Sequence, residues 1–155
     1  MKLYLDCCCY NRPYDDLSQH RVAVESACIK TILNSSNYIF GSDFLDMEIS
    51  LIKDAKKLNR VFDLYKLSIS GHIEKTDQII SLALQLQSKS SIQSMDSLHI
   101  AAAETGMADV FLTVDDRLIR SCKGLPLSIR IMNPIEFLKE VWLWWILKIK
   151  MSFAV

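Results

Sequence analysis

The chain has 155 residues, of which half are hydrophobic and 23% are charged, a balance typical of one globular domain with a substantial core. Its 18 Lys and Arg residues equal its 18 Asp and Glu residues, so it lacks the overall basic excess of many nucleic-acid-binding proteins. Any contact with phosphate groups must therefore come from local patches or from bound metal.

The cysteines and the first residues favour a cytoplasmic location. The five cysteines include the run Cys7-Cys8-Cys9, which does not match the C-x-x-C spacing of zinc sites, and their number is odd. The chain runs from Met1 directly into a charged, strand-like segment without a signal-peptide pattern. Because such free cysteines are typical of reducing compartments, we expect a cytoplasmic protein.

The predicted elements alternate between short apolar strands and helices. We predict strands at residues 3–5, 38–40, 110–114 and 128–132, and helices at 17–33, 43–57, 61–67, 76–86 and 95–105, with a last helix from Pro134. Residues 11–16 read as a turn-rich loop, in which Pro13 is expected to bar helix. This alternation predicts an α/β domain with roughly five strands and six or seven helices.

Two of the apolar strands end in acids, Asp6 and Asp115. In open parallel sheets, ligands bind at the carboxyl ends of strands, near the point where the strand order reverses. Aspartates also occur after strands as turn formers and helix caps, so their position alone leaves both roles open.

Glu48 falls near the middle of the apolar stripe of the helix predicted at residues 43–57. With 3.6 residues per turn, Leu51, Ile52 and Ala55 flank it in that stripe. A carboxylate that faces a core is costly unless it is paired or binds metal. A buried glutamate bonded to backbone amides or to an arginine is the alternative.

Asp96 lies in the first turn of its helix, where simple capping is the common role. It shares a face with Ile100 and Ala103, however, in a helix that is apolar on nearly every side. His99, three positions later, is more typical of a buried, hydrogen-bonded histidine than of a ligand.

Four carboxylates brought together would repel one another and raise one another's pKa values. A divalent cation would relieve that repulsion, and ligation by oxygen alone suits Mg²⁺ or Mn²⁺ rather than zinc. Such a site supports phosphodiester hydrolysis.

The motifs, in order and in approximate spacing, resemble the PIN-domain family over about residues 2–139. The matching segments are Tyr4-Leu5-Asp6, Asp43-Phe44-Leu45-Asp46-Met47-Glu48, Asp96-Ser97-Leu98-His99-Ile100-Ala101, Ala108-Asp109-Val110-Phe111-Leu112-Thr113-Val114-Asp115-Asp116 and Asn133-Pro134-Ile135-Glu136-Phe137-Leu138. The resemblance implies a three-layer α/β/α sandwich around a mostly parallel sheet of about five strands, here at residues 1–140.

The resemblance also implies a Mg²⁺- or Mn²⁺-dependent endoribonuclease like the VapC toxins of VapBC toxin–antitoxin pairs. Such proteins commonly dimerise and are silenced by an antitoxin whose tail enters the active site. Carried onto this chain, the metal-binding and catalytic residues are Asp6, Glu48, Asp96 and Asp115, and Asp116 is a fifth metal ligand.

Three residues near these acids are expected to bind the RNA substrate. Asn11 and Arg12 follow Asp6 in a loop that borders the same edge, and Thr113 precedes Asp115. An arginine could hold a phosphate bidentately, although an exposed loop arginine without a specific contact is the alternative.

Two departures keep a second function open. Cys7 stands where family members usually carry Asn, Thr or Ser, and Val114 stands where Thr or Asn is frequent. The alternative is therefore a catalytically weak or inactive PIN domain that binds RNA or a protein. Receiver domains and haloacid-dehalogenase-like enzymes also gather acids at strand ends, but Cys7 and Cys8 replace the second acid that each class needs after its first strand.

Residues 141–155 form an apolar extension of the last helix, rich in tryptophan. The segment is shorter than the roughly 20 residues that span a bilayer, so no transmembrane segment is expected. Packing against the domain or against a second copy of the chain is favoured, with interfacial membrane binding and a poorly ordered terminal extension as the alternatives.

Overall fold

A central five-stranded sheet organises the chain, and the computed structural model describes residues 1–152, with side chains through residue 148. Every neighbouring pair of strands is parallel, and the strand order is β3-β2-β1-β4-β5. The strands are β1 (Lys2–Leu5), β2 (Tyr38–Ser42), β3 (Gly71–Ile73), β4 (Val110–Leu112) and β5 (Arg130–Met132).

Helices connect successive strands and cover both faces of the sheet. They are α1 (Cys7–Asn11), α2 (His20–Leu33), α3 (Asp43–Ser50), α4 (Ala55–Ser68), α5 (Asp77–Lys89), α6 (Ser94–Thr105), α7 (Asp116–Ser121) and α8 (Pro134–Ser152), with a 3₁₀ helix at Arg12–Tyr14. Along the sheet, β2 and β3 are added on one side of β1, and β4 and β5 are then added on the other side. Because crossovers between parallel strands are right-handed, the two sets of helices lie on opposite faces. The predicted three-layer α/β/α architecture is confirmed.

The strand order reverses between β1 and β4, the two strands at the centre of the sheet. Leu3, Tyr4 and Leu5 of β1 and Phe111 of β4 are fully buried, as expected for strands covered on both faces. Leu5 pairs with Leu112, and the Asp6 amide donates to the Leu112 carbonyl at 2.9 Å. The segments that follow β1 and β4 therefore leave the sheet side by side.

Several predicted boundaries were wrong. The residues expected to form a loop at 11–16 lie largely in α1 and in the 3₁₀ helix, where Pro13 occupies the first turn and costs no hydrogen bond. The helix predicted at 43–57 ends at Ser50, and α4 begins after Asp54, whose side chain caps it by accepting from the Lys57 amide. The fifth strand, which no pattern located, is the short edge strand β3.

The apolar stripe predicted around Glu48 was also wrong in part. Leu51 is the C-cap of α3 and is 67% exposed, and Met47 is 45% exposed. Phe44, Leu45 and Ile49 form the buried face of this helix.

Helix α8 carries the predicted apolar extension at least to Ser152, and residues 153–155 lie outside the described part of the chain. Trp142, Trp144 and Trp145 are each more than half exposed. Among the described residues, no helix is long and apolar enough to cross a membrane.

Candidate metal centre

Asp6 lies at the carboxyl end of β1 and is 5% exposed. Its Oδ2 accepts hydrogen bonds from Thr113 Oγ1 at 2.8 Å and from Cys8 Sγ at 3.0 Å. Thr113 follows β4 and is fully buried, so the side chains after both central strands meet at this carboxylate. Within the described residues Oδ1 accepts no hydrogen bond, which leaves one oxygen for another ligand.

Glu48 lies in the last turn of α3, and its side chain is 34% exposed. Its Oε2 accepts a hydrogen bond from Nε2 of His99, a fully buried residue of α6, at 2.6 Å. The potential ligand atoms of Asp6, Glu48 and His99 all lie within 4.8 Å of one another. The prediction that His99 is buried and hydrogen-bonded is confirmed, but its contact with Glu48 was not anticipated.

Asp96, in the first turn of α6, faces the other acids. Its pKa is raised from 3.8 to about 6, first by burial and then by the negative charges of Asp6, Asp115 and Glu48. Asp115 caps α7 and accepts from the amides of Arg117 and Leu118. Asp6, Asp115 and Glu48 thus lie near enough to Asp96 to raise its pKa, and the ligand atoms of Asp6 and Glu48 lie with His99 within 4.8 Å of one another. We call Asp6, Glu48, Asp96 and Asp115 the acid centre.

Asp116, the predicted fifth ligand, has a partner of its own. Arg21 donates to both of its carboxylate oxygens, at 2.6 and 2.7 Å. This bidentate pair lowers the pKa of Asp116. The proposed role of Asp116 in metal binding stays a prediction, and in this structure Arg21 already neutralises it.

The predicted substrate contacts also stay predictions, because each side chain makes other contacts here. Asn11 donates to the Cys7 carbonyl at 3.1 Å. Arg12 pairs with Asp15 at 3.3 Å and, through Nε, with Glu25 at 3.0 Å. The Thr113 hydroxyl is committed to Asp6.

Glu25 of α2 is a functional candidate that sequence reasoning missed. Its side chain is fully buried. Arg21 and Asn133 both donate hydrogen bonds to its Oε1 at 2.9 Å, and Arg12 forms an ion pair with its Oε2 at 3.0 Å. Through Arg21 the network continues to Asp116. It therefore ties together the segments that follow β1, β4 and β5, which border the acid centre. The only signal in the sequence was the spacing of four residues between Arg21 and Glu25 in one helix.

The residues of the acid centre fit a divalent cation. Among the described residues, two basic side chains pair with these acids: His99 with Glu48 at 2.6 Å, and Arg117, whose Nη2 lies 3.7 Å from Asp115 Oδ2. Asp96 has no such partner among the described residues, and burial and then the charges of its neighbours raise its pKa, so a nearby cation would stabilise its ionised form. Oxygen ligands of this kind are those that Mg²⁺ and Mn²⁺ prefer.

No protein-family model and no curated protein sequence matches the chain. The structure, in contrast, is similar to a chain of VapBC2 from Rickettsia felis, solved bound to a DNA fragment from its promoter, with a TM-score of 0.59. The two are 14% identical, and the match covers 86% of this chain and 98% of the other. The chain has a PIN-like fold. This confirms the architecture that the motifs predicted, and at this low identity the likeness concerns the fold alone.

Proposed function

We propose that the chain is a divalent-metal-dependent endoribonuclease that hydrolyses RNA phosphodiester bonds. Asp6, Glu48, Asp96 and Asp115 would hold Mg²⁺ or Mn²⁺ at the carboxyl edge of the sheet. The observation that carries this proposal is the gathering of acids around Asp96, whose pKa is raised to about 6 first by burial and then by the negative charges of Asp6, Asp115 and Glu48. A structural role does not require such a costly arrangement, whereas a cation would stabilise it.

The four acids would have different roles in the reaction. Asp6, held rigidly by Thr113 and Cys8, and Asp96 would position the attacking water beside the scissile phosphate. Glu48 and Asp115 would complete the ligand set and orient the scissile phosphate. The bound cation would supply Lewis-acid stabilisation of the charge that develops on the phosphate oxygens.

Cleavage of an unstructured, end-labelled RNA with Mn²⁺ tests this function. We expect cleavage by the parent protein, no cleavage after addition of EDTA, and loss of cleavage in Asp96→Asn. The matched control is Asp43→Asn, a carboxylate on the same part of the surface that pairs with His72 and lies outside the acid centre. Equal cleavage by the parent and by Asp96→Asn would contradict the proposal, because a contaminating nuclease would then be the source.

We further propose that the nuclease is the toxin of a toxin–antitoxin pair. The support is the likeness to a chain of a VapBC2 complex. A cognate antitoxin would then block the acid centre with part of its chain, and the toxin would form a homodimer. Growth arrest on expression of the parent but not of Asp96→Asn, reversed by the product of a neighbouring gene, tests the pairing. Sedimentation velocity tests the dimer.

A PIN-like domain without catalysis, which binds RNA or a protein, is the second candidate. One observation favours it: Asp6 and Glu48 each accept a short hydrogen bond from the protein, so neither carboxylate lacks a partner when no metal is bound. RNA binding without Mn²⁺-dependent cleavage by the parent would support this candidate.

A further inference from the structure

A continuous row of hydrogen bonds runs from the start of α3 to Glu48. The Leu45 amide lies 3.1 Å from Ser42 Oγ, and Ser42 Oγ lies 2.7 Å from the Tyr4 hydroxyl. The Tyr4 hydroxyl lies 2.7 Å from His99 Nδ1, and His99 Nε2 lies 2.6 Å from Glu48 Oε2. Ser42, Tyr4 and His99 are all fully buried. Three elements, β1, β2 and α6, therefore supply the links behind one carboxylate.

The two ends of the row determine the direction of every hydrogen bond in it. The Leu45 amide only donates, and an ionised Glu48 only accepts. Among the described residues, the one acceptor within reach of the Ser42 hydroxyl hydrogen is Tyr4, because Ser42 Oγ has no other side-chain partner. Tyr4 then donates to His99 Nδ1, and burial, which raises the pKa of Tyr4, keeps this hydroxyl protonated. His99 is left as the neutral tautomer that carries its hydrogen on Nε2.

We propose that His99 is a positioning residue that holds Glu48 in its metal-binding orientation, with its Nε2–H tautomer imposed by Tyr4 and Ser42. The proposal rests on the proposed function in one respect, that Glu48 binds metal. It assigns to three residues that touch neither substrate nor metal a role in that binding. The hydrogen bond engages Oε2 alone, and Oε1 accepts no hydrogen bond among the described residues.

Glu48 needs such a support because other acids lie beside a side chain that can reach solvent. Its side chain is about a third exposed, its ligand atom lies within 4.8 Å of that of Asp6, and its charge acts on Asp96. Without the His99 donor, Glu48 would turn towards solvent, and the cation would have to recruit it at an entropic cost. Outer-shell partners of this kind typically change metal affinity by about 10- to 100-fold.

Direct ligation of the metal by His99 Nε2 is the competing arrangement, since this atom also lies within 4.8 Å of the ligand atoms of Asp6 and Glu48. It requires Nε2 without a hydrogen and therefore the opposite tautomer. The two arrangements differ in a measurable way, because a positioning residue acts only through Glu48, whereas a ligand acts by itself.

Two variants of similar polarity distinguish the contribution of Nε2 of His99 from that of Nδ1. In His99→Gln the side-chain amide nitrogen reaches the position of Nε2 and can donate to Glu48, whereas in His99→Asn the shorter amide reaches only the position of Nδ1. We expect His99→Asn to weaken Mn²⁺ binding about 10- to 100-fold, measured by the electron paramagnetic resonance of free Mn²⁺, and His99→Gln to weaken it by less than about fivefold. Urea unfolding of both variants controls for a general loss of structure.

A double-mutant cycle with Glu48→Gln distinguishes the possible outcomes. If His99 acts through Glu48, His99→Asn causes no further loss of Mn²⁺ affinity in the Glu48→Gln background. A full additional loss would overturn the proposal in favour of direct ligation, and parental affinity in His99→Asn would overturn it outright. Unchanged Mn²⁺ binding in Glu48→Gln would instead contradict the metal site of the proposed function.

The tautomer provides a readout that does not depend on metal. A long-range ¹H–¹⁵N spectrum of the imidazoles in the metal-free protein should show His99 with its hydrogen on Nε2 and an accepting Nδ1. A hydrogen on Nδ1 would refute the imposed direction, even if the parent protein binds no Mn²⁺ at all.

Discussion

Two groups of side chains bring carboxylates and a histidine within metal-ligand distance, and their surroundings differ. One consists of Asp6 and Glu48 of the acid centre with His99; the other, which we call the exposed cluster, consists of Asp43, Asp46 and His72. In the exposed cluster every carboxylate has a compensating partner. Asp43 accepts from His72 at 2.8 Å and from the Lys75 amide at 2.7 Å, and Asp46 accepts from Lys66 at 2.8 Å.

The pKa values of one carboxylate in each group are shifted from the ordinary aspartate value in opposite directions. The hydrogen bond from His72 and then the one from the Lys75 amide lower the pKa of Asp43, whereas burial and then neighbouring negative charges raise the pKa of Asp96. Ligand types at the right distance therefore do not identify a metal site by themselves. What separates the two groups is Asp96, a partly buried carboxylate that has three acids near it and no hydrogen bond or ion pair among the described residues.

The largest expected difference between the two groups is in cleavage. Asp6→Asn should lower Mn²⁺-dependent RNA cleavage by about 100-fold or more, because the cation contributes several kcal/mol to stabilising the transition state. Asp46→Asn should change it by less than about threefold, since its exposed pair with Lys66 contributes little. Initial rates at one Mn²⁺ concentration measure both. Comparable losses in the two variants would remove the distinction between the groups.

The second difference is in stabilisation by metal. At a Mn²⁺ concentration of 100 times Kd, the parent should gain about 2.7 kcal/mol in free energy of unfolding. Asp96→Asn should lose most of this gain, and Asp43→Asn should keep it. Thermal unfolding with and without Mn²⁺ checks the effect, and an equal gain in all three proteins would place the cation elsewhere.

Tyr4→Phe tests how much the buried hydrogen bonds behind Glu48 contribute to the free energy of unfolding. The change leaves His99 Nδ1 without its donor and the Ser42 hydroxyl without its acceptor, both in fully buried surroundings. We expect a loss of about 1–3 kcal/mol in the free energy of unfolding, measured with urea. The control is Tyr38→Phe, which removes a hydroxyl from a 43% exposed residue and should cost less than about 0.5 kcal/mol.

A further difference is a pH dependence of stability that has opposite signs in the two groups, and its Asp43 part is the smallest effect expected. Asp96 has a folded pKa above its unfolded value, so the metal-free parent loses stability as the pH rises from 3.8 through about 6. Asp96→Asn should therefore become the more stable protein across that window. Asp43 has a lowered pKa, so its contribution is present above pH 3.8 and is lost at lower pH.

At pH 7 in EDTA, Asp96→Asn should exceed the parent in stability and Asp43→Asn should fall below it. For the exposed Asp43 the difference is below about 1 kcal/mol, because solvent screens it. Urea titrations from pH 3.5 to pH 7, at roughly half-unit steps, give both curves. Curves of the same sign would show that the two groups share one electrostatic environment.

Local patterns in the sequence predicted four of the five strands of the sheet. Residues 3–5 and 110–114 are continuous apolar runs, as strands buried on both faces require, and each is followed closely by an acid. Thr76 and Pro134 marked the starts of α5 and α8 correctly, because a cap or a proline at the first turn acts through its immediate neighbours. The edge strand β3 was missed because three residues are too few for a periodic signal.

The argument for Glu48 shows the limit of such patterns. The stripe that suggested its burial included Leu51, which lies outside α3, so the residue was found partly for a wrong reason. What holds Glu48 is His99, 51 residues further along the chain, and no spacing within one element reveals that contact. The same holds for Glu25, whose partner Asn133 is 108 residues away.

The sequence by itself therefore determined most of the strands and helices and which acids follow β1 and β4, since these features depend on neighbours a few residues apart. Only the tertiary structure decided that Asp6, Glu48, Asp96 and Asp115 converge while Asp116 pairs with Arg21. It also decided that the pKa of Asp96 is raised and that the pKa of Asp43 is lowered. The physical reason is that burial and charge act through space, between residues that the fold brings together from distant parts of the chain.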